Sequence, residues 1–188
     1  MKKLLLIVVM VLSSLASMAQ MTTINPDTVC YQTPGSIYQI QALGAGYTYT
    51  WTVTAPGVIV SGQGTPSLGV DWSAAAPGLI PNGVSVLVTS PFGCTNSVLL
   101  DVFILNVVPL ITPIGPFCVT DPCVTLAATP LGGVFSGVGV VGNQFCPVTA
   151  GAGTFVITYT YTVNGCTFTA TIPVTVNPIP VLTPISHN

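Results

Sequence analysis

The sequence predicts an all-β protein with two tandem antiparallel β-sandwiches behind a cleaved signal peptide. Several stretches alternate strictly between apolar and polar side chains, which is typical of half-buried strands. A pattern of turns and cysteines recurs once and divides the chain into two similar parts. No long stretch has the periodicity of a helix, and 19 glycines and 17 prolines divide the rest into short segments.

The amino terminus has the three parts of a secretory signal. Lys2 and Lys3 form a positive region, residues 4–12 form an apolar run, and Ser17-Met18-Ala19 offers small residues for cleavage. We therefore expect residues 1–19 to be removed and the mature chain to be secreted, into the extracellular space or onto the cell surface. The apolar run is too short to span a bilayer, and no membrane insertion is expected.

The mature chain carries few charged side chains, and both lysines leave with the signal peptide. The mature chain has no Lys, Arg or Glu, and its charged side chains are four aspartates beside one histidine, His187. Without cations the chain cannot neutralise phosphates, which excludes nucleic-acid binding. Because little repulsion separates copies, the composition favours self-association. The alternative is a monomer whose surface is hydrated by Thr, Ser, Asn and Gln.

The strands are predicted from the alternation of side chains. Residues 47–54 place two tyrosines, a tryptophan and a valine on one face and four threonines on the other. Residues 154–163 and 167–176 alternate in the same way, and Asn164-Gly165 between them is typical of a tight hairpin turn. The equivalent hairpin of the first half comprises residues 84–89 and 97–105.

The repeat also sets the predicted domain boundaries. Each half begins with an Ile-x-Pro phrase followed by a cysteine, and each carries a Gly-Cys turn before its last strand. Such internal similarity indicates two copies of one structural unit. The predicted division is a first sandwich at 20–106, a proline-containing linker at 107–112, a second sandwich at 113–176 and an apolar tail at 177–188.

Six cysteines in a secreted chain favour disulfides over a metal site. The Cys118-x4-Cys123 spacing has no nearby histidine that would complete a zinc site. Six cysteines permit fifteen pairings, and the repeat favours those that join the first strand of each unit to its last hairpin. These pairs are Cys30–Cys94 and Cys118–Cys166, with Cys123–Cys146 left by elimination.

The first unit resembles a PKD-like domain along "YTYTWTV", "VIVSGQGTPSLGVDW" and "VSVLVTSPFGC". The second is similar to the immunoglobulin-like repeats of large secreted bacterial surface proteins, including adhesins and gliding-motility-associated proteins of Bacteroidota type. Its matching phrases are "CVTLAATPLGGVFSGVGVVGNQF" and "GTFVITYTYTVNGC". The resemblance implies tandem Ig-like/PKD-like sandwiches that act as spacers, adhesive modules or assembly parts. It also implies a candidate O-glycosylation site at Thr28, in the Asp-Thr-aliphatic pattern Asp27-Thr28-Val29.

Catalysis is not expected, and neither a cofactor nor a metal ion is predicted. Acid–base and nucleophilic chemistry need placed titratable groups, but the aspartates are dispersed and form no D-x-D run for calcium. Trp51, in an alternating strand, is predicted to pack in the core. Asp71-Trp72 is a candidate carbohydrate-binding pair, with the alternative that Trp72 packs inside and Asp71 caps a turn.

Two rows of threonines on neighbouring strands form another candidate surface. They predict a flat field of hydroxyl and methyl groups, suited to ice or a crystalline polysaccharide. The alternatives are a solvent face chosen for β-propensity or a face packed against another subunit. The rows comprise Thr154, Thr158, Thr160 and Thr162 on one strand and Thr167, Thr169, Thr171 and Thr175 on the other.

The last segment of the chain repeats the phrase that joins the two halves. Residues 177–186 match residues 106–115, with Pro, Thr, Pro and Ile at corresponding positions. We expect this tail to dock on the first sandwich of another copy, either by adding a strand to its sheet edge or by abutting it. The alternative is an edge strand on its own second sandwich. The apolar residues of the tail are Ile179, Val181, Leu182 and Ile185.

These features predict a secreted structural subunit, stabilised by disulfides, that assembles head-to-tail into an extracellular filament, sheath or surface layer. The expected partner is therefore another copy of the chain. The alternative function is an adhesin or glycan-binding module of the cell surface, whose partners would be surface glycans.

Overall fold

The computed structural model describes residues 21–22, 26–184 and 187 of the 188-residue chain. The predicted signal peptide, residues 1–19, lies outside the described residues. The chain divides into two compact units, of which unit 1 ends at Asn106 and unit 2 begins at Val107. Both units are built from β-sheets, and the predicted all-β fold is confirmed.

The described residues of unit 1 form two sheets. The larger consists of β1 (Met21–Thr22), β2 (Asp27–Cys30), β4 (Thr48–Val53), β7 (Gly78–Thr89) and β8 (Thr95–Leu105). Its order is β4-β7-β8, and both β1 and β2 pair with β8 in parallel. The smaller consists of β3 (Ser36–Gln39), β5 (Val58–Ser61) and β6 (Ser67–Asp71). Its order is β3-β6-β5.

The core of unit 1 draws side chains from both sheets. On β4, Tyr49 and Trp51 are buried and the threonines that alternate with them are exposed, because successive side chains of a strand point to opposite faces. The core position predicted for Trp51 is thus confirmed. The other buried residues of this cluster are Val29, Tyr38, Leu68, Val70, Trp72, Ala75, Val84, Val86, Val102 and Ile104.

Unit 2 contains three small sheets. The largest consists of β10 (Phe117–Cys118), β13 (Val134–Ser136), β16 (Gly153–Val163) and β17 (Cys166–Asn177), in the order β10-β17-β16-β13. The second consists of β11 (Val124–Thr125), β14 (Val140–Val141) and β15 (Gln144–Phe145), and the third pairs β9 (Leu110–Ile111) with β12 (Ala128–Thr129). A four-residue helix, α1 (Pro147–Ala150), follows β15. No helix within the described ranges is long and apolar enough to cross a membrane.

The β16–β17 hairpin forms the centre of the four-stranded sheet and confirms the predicted turn. Asn164 and Gly165 have φ of 49° and 77°, and a type I′ turn requires positive φ at both positions. Inward-facing Ile157 and Val174 pack with Phe145 of the second sheet. Alternation along the two strands therefore places one apolar face inside, as the sequence predicts.

The predicted linker at 107–112 is part of unit 2. Its residues 110–111 form β9, which pairs with β12 so that Ile111 lies opposite Ala128. Ile111 is 1% exposed and packs with Ala128 and Tyr159. The prolines on either side of this pair suggested a connector, but two residues suffice to pair with β12 and to bury one aliphatic side chain.

Candidate functional site

The residues that follow β17 present apolar side chains to solvent. Residues 178–184, which we call the tail segment, form no strand. The exposed fractions of Ile179, Val181 and Leu182 are 58%, 95% and 87%, and Ile185 lies outside the described residues. The tail segment therefore does not form the edge strand on unit 2 that was the alternative prediction.

Unit 1 carries an apolar groove at the end that holds the β7–β8 turn. The groove has a volume of about 700 Å³. Ile40 and Leu43 line it from the segment after β3, Val88 and Val98 line it from β7 and β8, and Cys94 lies beside them. A smaller cavity of about 150 Å³ shares Ile40 and Val98 with the groove and reaches the core residue Trp51. The groove thus opens toward the interior of the sandwich.

The outer edge of β4 is closed to a further strand at Trp51. The Gln63 side chain donates to the Trp51 carbonyl at 2.9 Å and accepts from the Trp51 N–H at 2.8 Å. It therefore satisfies the two backbone groups that an edge strand offers to another chain. The indole N–H of Trp51 donates to the Thr65 carbonyl at 2.7 Å, which fixes the loop that carries Gln63.

One disulfide lies within unit 2. Cys123 and Cys146 are bonded across 23 residues of sequence, and this is the pair that the repeat leaves by elimination. Closing a loop of this length restricts the unfolded chain and contributes about 3 kcal/mol in the loop-entropy description. The bond connects the residue before β11 with the residue after β15, so it fastens the second sheet.

The other two predicted pairings, Cys30–Cys94 and Cys118–Cys166, are wrong. Cys94 and Cys118 are free and exposed, whereas Cys30 and Cys166 are disulfide-bonded residues. The reason is the parallel pairing of each entry strand with the far end of the last strand of its unit.

The strand registers show that the two cysteines of each predicted pair lie too far apart to form a disulfide. Cys30 lies beside Leu105 at the end of β8, whereas Cys94 precedes the first residue of β8. In unit 2, Cys118 lies beside Asn177 at the end of β17, and Cys166 begins β17. Eleven residues of strand separate the members of each pair by roughly 35 Å at about 3.3 Å per residue. A disulfide needs Cα atoms within about 7 Å.

The Asp71-Trp72 pair does not form a carbohydrate platform. Trp72 is 1% exposed, and its indole N–H donates to the Tyr38 hydroxyl at 3.0 Å. Asp71 accepts from the Ser73 backbone N–H at 2.8 Å, and this bond lowers the pKa of its carboxyl. Burial, and secondarily the charge of Asp27, raise the pKa of the Tyr38 hydroxyl. The alternative, a core tryptophan beside a turn-capping aspartate, is confirmed.

The threonine rows are aligned across β16 and β17. The cross-strand pairs are Thr154–Thr175, Thr158–Thr171, Thr160–Thr169 and Thr162–Thr167. The hydroxyls of the first and last pairs are 3.4 and 3.2 Å apart. The threonines alternate with inward-facing residues, so this face of the hairpin presents hydroxyl and methyl groups together.

The remaining polar candidates hold the fold or lie apart from one another. Asp101 accepts from the Asn82 N–H and Asp121 from the Cys118 N–H, each at 2.7 Å. No group of three or more His, Cys, Asp or Glu side chains in the described part of the chain could hold a metal ion. Thr28 is partly exposed in β2.

A comparison with known protein families finds a match in the part of the chain that forms unit 1. Residues 16–101 match the PKD-like domain family. A PKD-like domain together with disulfide bonds is typical of an extracellular protein, and domains of this kind are generally structural modules without catalytic activity.

One solved structure similar to this chain contains fibronectin(III)-like modules of CbhA from Clostridium thermocellum. The similarity covers 87% of this chain and 95% of that chain, with 12% sequence identity and a TM-score of 0.38. The comparison with curated proteins finds no match.

Proposed function

We propose that the mature chain is a secreted structural subunit that assembles head-to-tail with copies of itself into an extracellular filament, sheath or surface layer. In this proposal the tail segment of one copy docks in the groove on unit 1 of the next copy. The observation that carries the proposal is the exposure of Val181 and Leu182, at 95% and 87%, in a chain whose unit 1 carries an apolar groove.

The in-chain copy of the tail phrase supports docking. Ile111, which corresponds to Leu182 in the repeated phrase, is 1% exposed and lies in a strand paired with β12. The same phrase can therefore pair with a short strand and bury its aliphatic residue when a complementary surface is present. Unit 1 of a second copy supplies such a surface in the groove lined by Ile40, Leu43 and Val98.

The tail segment and the groove are different surfaces, and this difference determines the form of the assembly. The tail segment belongs to unit 2 and the groove belongs to unit 1, so each contact leaves one free tail and one free groove. A contact between unlike surfaces that does not close into a ring propagates as an open filament. Disulfides and a PKD-like domain fit an extracellular location for such a polymer.

The composition favours self-association. The energetics indicate that assembly is strong only when several contacts form together. The mature chain carries only four aspartates and one histidine as charged side chains, so charge repulsion between copies is small. Burial of an aliphatic side chain contributes about 1.5–3 kcal/mol, and association costs about 4–15 kcal/mol. Three tail residues therefore need added backbone pairing in the groove and contacts between neighbouring units.

Deletion of residues 178–188 tests the proposal. We expect the full mature chain to form fibres or sheets in negative-stain microscopy and the truncated chain to remain a single-copy particle. The melting temperature should not change, because the tail segment forms no strand with unit 2. Assembly of the truncated chain like that of the full chain would refute the docking proposal.

The second candidate is an adhesin or glycan-binding module, and the aligned threonine pairs of β16 and β17 favour it. Hydroxyls 3.2–3.4 Å apart in aligned pairs along two strands can match a regular array of sugar hydroxyls. A glycan array distinguishes the two functions. Binding that is lost in the Thr160→Lys variant, without fibres in the microscope, would favour adhesion over assembly.

A further inference from the structure

Each unit carries a cysteine in the same two places. Cys30 and Cys118 lie on entry strands beside the end of the last strand, and Cys94 and Cys166 lie where the last strand begins. One cysteine of each kind is disulfide-bonded, namely Cys30 and Cys166. One of each kind is a free and exposed thiol, namely Cys118 and Cys94.

Cys118 is fixed at the base of the tail. Its strand β10 pairs with the last residues of β17, so that Cys118 lies opposite Asn177. The Val119 N–H donates to the Asn177 carbonyl at 2.9 Å, and the Asp121 carboxylate accepts from the Cys118 N–H at 2.7 Å. The tail segment begins at the next residue, 178, and therefore starts beside the Cys118 thiol.

Cys94 is fixed at the groove that the tail is proposed to enter. It lines the groove together with Val88 and Val98. Its N–H donates to the Ser90 hydroxyl at 3.1 Å, and its carbonyl accepts from the Ser90 N–H at 2.8 Å. The thiol is therefore held in a defined turn on the surface that would receive the tail.

We propose that an intermolecular disulfide joins Cys118 of one copy to Cys94 of the next copy. This inference rests on the proposed head-to-tail function and names the covalent bond at its junction. When the tail segment enters the groove with its first residues at Cys94, the Cys118 thiol beside Asn177 meets the Cys94 thiol of the next copy. Cys94 lies at the groove and Cys118 lies at the base of the tail. A growing polymer therefore always keeps one unreacted Cys94 at one end and one unreacted Cys118 at the other, and the linkage propagates.

The oxidant is a protein disulfide that reacts by thiol–disulfide exchange. Such oxidants act in the oxidising compartments where disulfides of secreted proteins form. The Cys94 thiolate attacks the oxidant's disulfide and forms a mixed disulfide with one of its sulfurs. The Cys118 thiolate of the neighbouring copy then displaces that sulfur and forms the Cys94–Cys118 bond. The oxidant leaves as a dithiol, which carries the two electrons and the two protons lost by the Cys94 and Cys118 thiols.

The test uses the mature chain and two single variants, C94S and C118S, each oxidised after assembly and denatured without reductant. We expect the wild type to give a ladder of covalent oligomers that collapses to monomer on reduction. Each variant alone should stay monomeric on the gel, and an equimolar mixture of the two should stop at dimers. Pepsin digestion and mass spectrometry should identify the Cys94–Cys118 peptide, since the mature chain offers trypsin no Lys or Arg.

The outcomes separate this inference from the function on which it rests. Dimers of either variant alone would indicate Cys94–Cys94 or Cys118–Cys118 bonds and would overturn the inference. Fibres in the microscope that denature to monomers without reductant would overturn it too, while the head-to-tail function would stand. Without fibres and without a ladder, both would be wrong. A ladder confined to material that also forms fibres supports both.

Discussion

Two copies of one phrase have opposite environments in this chain. In the copy at 106–115, Ile111 is 1% exposed and pairs with Ala128 of β12. In the copy that begins at Asn177, Leu182 stands at the corresponding position and is 87% exposed. The difference lies in the partner, because the first copy packs against β12 and Tyr159, whereas residues 178–184 of the second copy form no strand.

The comparison indicates that this repeated sequence forms a paired and buried strand only where a complementary surface lies beside it. A paired segment of two residues is too short to be stable alone, since isolated strand pairs are marginal in water. Pairing with β12 and contact with a buried cluster supply what the segment lacks. A second copy without such a surface is an exposed apolar segment, and exposed apolar segments mark interaction sites.

The largest expected effect comes from truncating the buried copy and the exposed copy in parallel. Ile111→Ala should lower the free energy of unfolding of unit 2 by about 2–5 kcal/mol, because it leaves a cavity beside Tyr159. Leu182→Ala should change it by less than about 0.5 kcal/mol but should weaken assembly. Chemical denaturation and sedimentation velocity measure the two quantities. Equal losses of stability in both variants would contradict the difference in burial between Ile111 and Leu182.

A smaller effect is expected at the surface that receives the buried copy. The Tyr159 hydroxyl donates to the Pro130 carbonyl at 2.6 Å and accepts from the Gly133 N–H at 2.7 Å. Tyr159→Phe removes both bonds and should destabilise unit 2 by about 1–3 kcal/mol. Tyr161→Phe, on the same strand, is the matched control and should change the free energy of unfolding by less than about 0.5 kcal/mol. Similar melting temperatures for both variants would contradict this role.

The smallest effect on stability is expected in the groove, together with a large effect on assembly. Leu43 lines the groove and is 46% exposed. Leu43→Asp should leave the melting temperature nearly unchanged and should reduce assembly strongly, because a carboxylate in an apolar contact loses hydration. Leu79→Asp is the matched control, since Leu79 is 54% exposed on the same unit and does not line the groove. Assembly that is unchanged in the Leu43 variant would exclude the groove as the docking surface.

Sequence reasoning predicted the features that depend on local pattern. Alternation along residues 47–54 and 154–163 identified the faces of β4 and β16, because a period of two leaves no doubt about which side chains share a face. Asn164-Gly165 identified the hairpin because few dipeptides adopt positive φ at both positions. The burial of Trp51 followed from the same alternation.

Sequence reasoning failed where long-range pairing decides the outcome. The entry strands β2 and β10 have four and two residues, and no pattern within them reveals that they run parallel to the far end of β8 and β17. The assignment of Cys30 to Cys94 and of Cys118 to Cys166 therefore placed cysteines together that lie at opposite ends of a strand. The groove was missed for a related reason, since Ile40 and Leu43 come from a loop whose position only the folded unit defines.

The most direct test of the account locates residue 182 in the assembled material. A photoreactive phenylalanine derivative replaces Leu182, and assemblies are prepared from a mixture of light and heavy-isotope-labelled chains before irradiation. We predict crosslinks between residue 182 of one copy and the groove residues around Leu43 of another, identified as mixed light–heavy peptides. Crosslinks confined to residues of the same chain, or the absence of crosslinks in material that has assembled, would contradict the account.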